Sequence, residues 1–320
     1  GFYTPDSCMH LYVVSAEGGQ AVCITDGDFD YMHHSWSADG KSVICCSSRF
    51  CAKEESLRMD LLRIEAKENG QVTRLTEDLW LVSYPNPLRP TETPDGRYIV
   101  VGCMNLPDGI KMTESMTYPE IYLYKVAADE SGAECIFEPS DNCFQCVQFP
   151  YNAFCGGGFD KLQISDDGEK VLFLSGWQGQ CNLYSVSLEG GKAQTLLGGK
   201  TVVNGIGGLQ NGKALLALSA ETRPEYYAVI DTRTGALTET GIQSARELME
   251  ESAFSQPEDF FVDTLDGESR VHCWVMPPQN FDPAKKYPAI LYVHGGPHPF
   301  YTYGFTLEHQ CLAGAGFAVI

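Results

Sequence analysis

The sequence predicts a mainly β chain: a partial β-propeller of about four to five four-stranded blades over residues 1–255, then the first strands of an α/β domain over 256–320. Three observations carry this reading. A turn motif repeats along the first part, a second motif alternates with it, and near the end an uncharged apolar run stops at two glycines.

The first motif is a small or polar residue, any residue, Asp-Gly, a mostly charged residue, any residue, and two apolar ones. It reads Ser37-Ala38-Asp39-Gly40-Lys41-Ser42-Val43-Ile44, Thr93-Pro94-Asp95-Gly96-Arg97-Tyr98-Ile99-Val100 and Ser165-Asp166-Asp167-Gly168-Glu169-Lys170-Val171-Leu172, with a worn copy at Leu209-Gln210-Asn211-Gly212-Lys213-Ala214-Leu215-Leu216. Asp-Gly and Asn-Gly between apolar runs favour tight hairpins in which both central residues take positive φ, so each copy marks a strand-turn-strand unit. The second motif is an aromatic-rich strand and a polar turn ending in Gly, clearest at Leu11 to Gln20 and at Leu183 to Lys192, with looser copies turning at Gly70, Gly132 and Gly235.

Interleaved, the turn glycines run 19, 40, 70, 96, 132, 168, 191, 212 and 235. One pair of turns per about 40 to 70 residues is the spacing of a four-stranded blade, which gives four complete blades and half of one before them. A β-sandwich uses similar turns but has no reason to repeat its motifs at this period. His33-His34 before Ser35-Trp36-Ser37 reads as a blade strand whose aromatic packs between blades. The polar stretch Arg246-Glu247-Leu248-Met249-Glu250-Glu251, followed by Gln256-Pro257-Glu258-Asp259, sets the domain boundary near residue 255.

Beyond the boundary, Phe260-Phe261-Val262 and Val271 to Met276 pair across Asp266-Gly267, with Pro277-Pro278 closing the hairpin. Ala289 to Val293 reads as a strand buried on both faces. Phe305, Leu307, Cys311 and Leu312 suggest a helix stopped by Gly314 and Gly316, after which Phe317 to Ile320 begins another strand.

With 43% hydrophobic residues the composition is that of an ordinary globular chain, and a formal net charge of −20 argues against nucleic acid and anionic membrane as partners. No apolar run approaches the ~18 residues of a membrane span, and no leader pattern stands at Gly1. The thirteen cysteines are an odd number in a long chain and read as reduced thiols, which points to the cytoplasm. Cys143-Phe144-Gln145-Cys146 lacks a second pair for a metal. Gly156-Gly157-Gly158 lacks the Lys and Ser/Thr of a phosphate loop. His298 and His309 have no partner at ligand spacing and read as surface or loop residues. No cofactor and no metal are implied.

The run Asp266-Gly267, Val271-His272-Cys273-Trp274-Val275-Met276-Pro277, Asn280-Phe281-Asp282-Pro283-Ala284-Lys285-Lys286-Tyr287-Pro288, ending in His294-Gly295-Gly296-Pro297-His298, resembles the entry to the catalytic domain of prolyl oligopeptidase family serine peptidases, acylaminoacyl peptidase and dipeptidyl peptidase-like branch. The resemblance implies an α/β-hydrolase domain acting on short peptides, a propeller that gates access to it, and a sequence truncated at both ends. It also implies an oxyanion hole in which the Gly296 backbone N–H donates, one such donor being worth about 2.7–4 kcal/mol. His294, Gly295 and Pro297 shape that loop, and Tyr292 is the candidate for the Tyr hydroxyl used by other branches, though it reads more readily as core. His294 reads as a loop residue rather than a catalytic base.

No serine here has the flanking glycines of Gly-x-Ser-x-Gly, so the nucleophile and the acid and His that follow it are absent, and the chain alone is expected to be inactive. Two other readings stand beside this one: a propeller binding module without catalysis, and a non-peptidase α/β-hydrolase such as an esterase. Exposed strand edges of an incomplete propeller predict self-association, hence a homo-oligomer.

Overall fold

The computed structural model describes residues 8–50, 58–77, 81–82, 89–104, 121–139, 162–243, 253–294 and 300–320. Residues 143–146, 156–158, 246–251 and the corner Gly295, Gly296, Pro297 and His298 lie outside the described residues.

A two-stranded antiparallel ribbon, Tyr12–Val13 with Val22–Cys23, comes first. Four antiparallel sheets follow, each with its four strands side by side in chain order. The first holds Tyr31–Trp36, Ser42–Ser47, Arg58–Glu65 and Val72–Arg74, and Leu81–Val82 pairs with the start of its third strand. The second holds Thr91–Glu92, Tyr98–Met104, Ile121–Ala127 and Ala133–Phe137. The third holds Leu162–Ile164, Lys170–Trp177, Gln180–Ser187 and Gln194–Leu197. The fourth holds Val202–Gln210, Lys213–Ala220, Arg223–Asp231 and Leu237–Gln243.

The repeated turn motif builds one hydrogen-bond pattern each time. At Ser37 the hydroxyl donates to Asp39 Oδ1 (2.7 Å) and accepts from Ser42 N (2.9 Å), while Asp39 Oδ1 also accepts from Lys41 N (3.0 Å). Thr93 with Asp95 and Ser165 with Asp167 repeat the arrangement. So does Thr264 with Asp266 in the hairpin past residue 255. The expected backbone does not hold: only the glycine takes positive φ (69° at Gly40, 73° at Gly96, 74° at Gly168), because the Asp carboxylate is occupied in capping the loop's own N–H groups. The worn copy alone has both central residues positive, Asn211 at 54° and Gly212 at 70°.

Consecutive sheets pack face to face. Leu11 and Ile24 of the ribbon meet Tyr31, Val43, Cys45, Leu62 and Ile64 on one face of the first sheet. The other face, with Ile44, Cys46 and Leu61, meets Ile99, Val101 and Val126 of the second. Adjacent Cys45 and Cys46 thus serve opposite cores, as strand alternation requires. Val100, Leu123 and Ile136 carry the packing on to the third and fourth sheets around Phe173, Leu183 and Leu216. Trp36 departs from its expected place between sheets: it is 56% exposed, at a strand whose register shifts between Met32 and Ser35 around His33, held at φ 51°. Of the described cysteines, Cys45, Cys46, Cys103 and Cys181 are buried, and none forms a disulfide.

Past residue 255, Glu258–Asp263 pairs antiparallel with Arg270–Val275, Phe260 opposite Cys273 and Val262 opposite Val271. Ala289–Ile290 then pairs in parallel with Ala318–Val319, and the helix Leu307–Gly314 lies between them in the chain. Met276 exchanges hydrogen bonds with Val319 on the other side (2.8 and 3.0 Å), so Val319 sits between two partners. Gly316, at φ 94°, ends the helix: its N–H reaches Ala313 O and that of Phe317 reaches Leu312 O, the pattern of a left-handed C-cap.

One expectation for this part fails. The strand at Ala289 is not buried on both faces, since Leu291 is 74% and Val293 73% exposed and its described pairing is on one side only. The expected helix is present and buries Gln310 and Ala313 while Cys311 is exposed, Gln310 being drawn inward by hydrogen bonds that apolar spacing does not reveal.

Candidate functional site

A cleft of about 250 Å³ lies where the tip of the fourth sheet, the 258–275 hairpin, the strand leading to the glycine corner and the helix converge. Tyr292 and His294, both singled out in the sequence, line it. The Tyr292 hydroxyl donates to Glu308 Oε2 at 2.8 Å, its backbone N–H bonds Ile320 O at 2.7 Å, and its ring meets His309 edge-on at 4.8 Å between centroids. The His294 ring stands edge-on to Tyr301 at 5.4 Å. His309 departs from its expected place on the surface or in a loop: it lies in the helix, is half-buried, and burial lowers the pKa of its imidazole.

Asp259 ties the hairpin to its surroundings. Its Oδ1 accepts from Lys200 Nζ at 2.9 Å, and its Oδ2 pairs with His272 Nε2 at 3.2 Å and accepts from the Tyr303 hydroxyl at 3.0 Å. The Lys200 hydrogen bond, ahead of those from Tyr303 and His272, holds the Asp259 carboxyl down at about 2. Burial first, then Asp259, pushes the Tyr303 phenol up to about 12. His272 is stacked on Phe261 at 4.4 Å and lies 4.0 Å from Trp274. These rings rest on the turn of the third sheet, where Gln178 (φ 45°) and Gly179 (φ 78°) bring the backbone close; a methyl group at Gly179 would strike the Trp274 ring, and one at Gly176 the ring of Phe300. Phe300, the first described residue after the corner, is thus packed against the third sheet.

Glu221, at the tip of the fourth sheet, is buried, and burial raises its pKa against the opposing influence of Lys200. Its Oε2 accepts from Gln256 Nε2 at 2.6 Å. Gln310 ties the same place to the helix: its Oε1 accepts from Ser255 N (2.8 Å), and its Nε2 donates to Ser255 O (2.9 Å) and Glu221 O (3.4 Å). Lys200, Glu221, Tyr303 and Gln310 were not singled out by the sequence, while Asp259 and Trp274 stood there only in the boundary stretch and the hairpin run; no local signal joins them, since Lys200 meets Asp259 across 59 residues and Gln310 meets Glu221 across 89. Among the described residues no three His, Cys, Asp or Glu side chains gather as a metal site. No helix there is long and apolar enough to cross a membrane.

No family model matches the chain. Dipeptidyl-peptidase 5 of Porphyromonas gingivalis is 23% identical over 291 residues, covering 89% of this chain and 38% of the relative. Of solved structures, an acylaminoacyl peptidase in complex with Z-Gly-Gly-Phe-chloromethyl ketone matches with a TM-score of 0.66 at 18% identity, over 96% of this chain and 42% of the other. A puromycin hydrolase matches with a TM-score of 0.59 at 15% identity, over 97% and 54%. Sequence and fold are both similar to those of prolyl oligopeptidase-family peptidases. The chain spans about two fifths of the length of the first curated relative it matches.

Proposed function

We propose that residues 1–255 form part of a β-propeller and that residues 256–320 belong to the α/β-hydrolase domain of a serine-type exo- or oligopeptidase, acylaminoacyl peptidase-like, acting on short peptides in the cytoplasm. The observation that carries this is the parallel pairing of Ala289–Ile290 with Ala318–Val319 around the helix Leu307–Gly314. In open α/β sheets ligands are met beyond the carboxyl ends of the strands, and in the sequence His294-Gly295-Gly296-Pro297 comes a few residues after Ala289–Ile290.

In this reading the Gly296 N–H gives one hydrogen bond to the oxyanion of the tetrahedral intermediate, about 2.7–4 kcal/mol of stabilisation, and the residue after the nucleophile gives the second. Tyr292, whose hydroxyl is engaged with Glu308, shapes the loop rather than serving as the donor. The propeller admits only narrow or unfolded chains. As no serine in the 320 residues lies in Gly-x-Ser-x-Gly, this polypeptide alone does not hydrolyse peptides by the family mechanism. The strand edges left open favour a homo-oligomer.

The test is to read the gene past the Ile320 codon and to assay the encoded polypeptide on peptide p-nitroanilides, N-acetylated peptides and p-nitrophenyl esters. Peptide cleavage abolished by replacing the serine of a Gly-x-Ser-x-Gly word sustains the proposal. Ester cleavage without peptide cleavage makes the chain part of an esterase, and a frame lacking that word makes it a binding module.

A further inference from the structure

A second pocket, of about 600 Å³, opens at one end of the third sheet and shares no lining residue with the cleft at Tyr292 and His294. Three of its side chains, Gln180, Asn182 and Tyr184, stand at alternate positions of one strand and so share a face. Asn182 Nδ2 donates to Gln180 Oε1 at 3.0 Å and to the Tyr184 hydroxyl at 3.3 Å. Asn182 is 5% exposed, and its Oδ1 has no hydrogen-bond partner among the described residues. A buried acceptor without a donor is rare in a folded chain unless something from outside supplies one. Gly198 keeps the place open: a Cβ there would stand 3.0 Å from both Asn182 Cγ and Oδ1.

We infer that this pocket binds a neutral sugar, a hexopyranose unit with one hydroxyl donating to Asn182 Oδ1 and a neighbouring hydroxyl accepting from Gln180 Nε2. Among the described residues the lining holds no Lys, Arg, His, Asp or Glu, so a charged ligand would give up its water and meet no opposite charge. A hydroxyl donates and accepts at one atom, and a carboxamide offers an acceptor and a donor side by side, so adjacent hydroxyls answer the adjacent carboxamides of Gln180 and Asn182. Thr195 adds a further hydroxyl, and Trp177 supplies aromatic surface for the C–H face of a sugar ring. A peptide backbone splits donor and acceptor between separate atoms and fits this pairing less well. The site does not depend on the proposed peptidase chemistry.

The experiment is saturation-transfer NMR, with calorimetric titration, of the 320-residue chain against glucose, galactose and mannose, their uronic acids, their methyl glycosides and N-acetyl-triglycine amide. At least one of the three neutral sugars is expected to bind, and its uronic acid at least fivefold more weakly. A methyl glycoside that binds as well as the free sugar identifies a sugar at the end of a glycan, and one that binds more weakly a free sugar; either sustains the inference. Gly198→Ala, which fills the space over the Asn182 carboxamide, is expected to weaken the sugar at least tenfold. Gln180→Ala, at a half-buried position, is expected to weaken it at least threefold while the melting temperature is kept. The inference is overturned if none of the three sugars binds, if the uronic acid binds equally, or if N-acetyl-triglycine amide binds in their place. It is also overturned if binding is unchanged in either variant that keeps the melting temperature of the unaltered chain.

Discussion

The third sheet and the hairpin Glu258–Asp263/Arg270–Val275 are made with the same turn and end in opposite surroundings. Ser165 and Thr264 each hold an Asp carboxylate that caps the loop, followed by a glycine at φ 74° or 71°. Yet Lys170–Trp177 is buried along almost its whole length, with Phe173 fully enclosed, whereas Phe260, Phe261 and Val262 in the hairpin are each more than a third exposed. The turn sets the register of a hairpin and says nothing of what covers its faces; the third sheet gets its cover from sheets before and after it.

The largest difference should appear on truncating matched side chains. Phe173→Ala is expected to lower stability by about 3–5 kcal/mol in chemical denaturation, through the lost contacts and the void left between Phe137 and Tyr184. Val262→Ala is expected to change it by no more than about 0.5 kcal/mol. A comparable loss at both sites would mean that the hairpin is covered in solution.

The glycines sharpen the contrast. At Gly267 a methyl group meets open space, so Gly267→Ala carries only the left-handed backbone penalty of about 1–2 kcal/mol. At Gly179 the same change also drives into Trp274, and Gly179→Ala is expected to cost clearly more in the same denaturation series.

The link between the regions gives a pH test. Asp259 is held at about 2 against an ordinary 3.8, so its folded-state pKa is depressed. Its contribution is therefore present above pH 3.8 and lost as pH falls through about 2. Carboxyl carbon shifts of Asp259 followed by NMR should titrate in that low range, and Lys200→Met should move the midpoint upward. A modest effect is expected at Tyr292→Phe, which removes the exposed bond to Glu308 and should cost about 0.5–1.5 kcal/mol in thermal unfolding.

Much of this was legible because it is local. The Asp-Gly words, the pairing of Phe260 to Val262 with Val271 to Met276, the helix stop at Gly316 and the last strand each depend on residues a few positions apart. The single positive φ of each turn was missed because the Asp side chain, not the Asp backbone, supplies the closure. Trp36, Leu291 and Val293 were misplaced because hydrophobicity reports what a residue prefers and not whether a neighbour arrives to cover it. The candidate site was the least legible part. His294 and Tyr292 stand in a recognisable run, while Lys200, Glu221 and Gln310 are brought to it from distant stretches by the stacking of whole sheets.

Gln310 deserves its own mechanical reading. By exchanging two hydrogen bonds with the backbone of Ser255 and a third with Glu221 O, its side-chain amide takes the part of a missing peptide unit, a rung laid across three stretches of chain. Any hinge motion that swings the helix away from the fourth sheet must snap that rung or carry Ser255 along as an appendage of the helix.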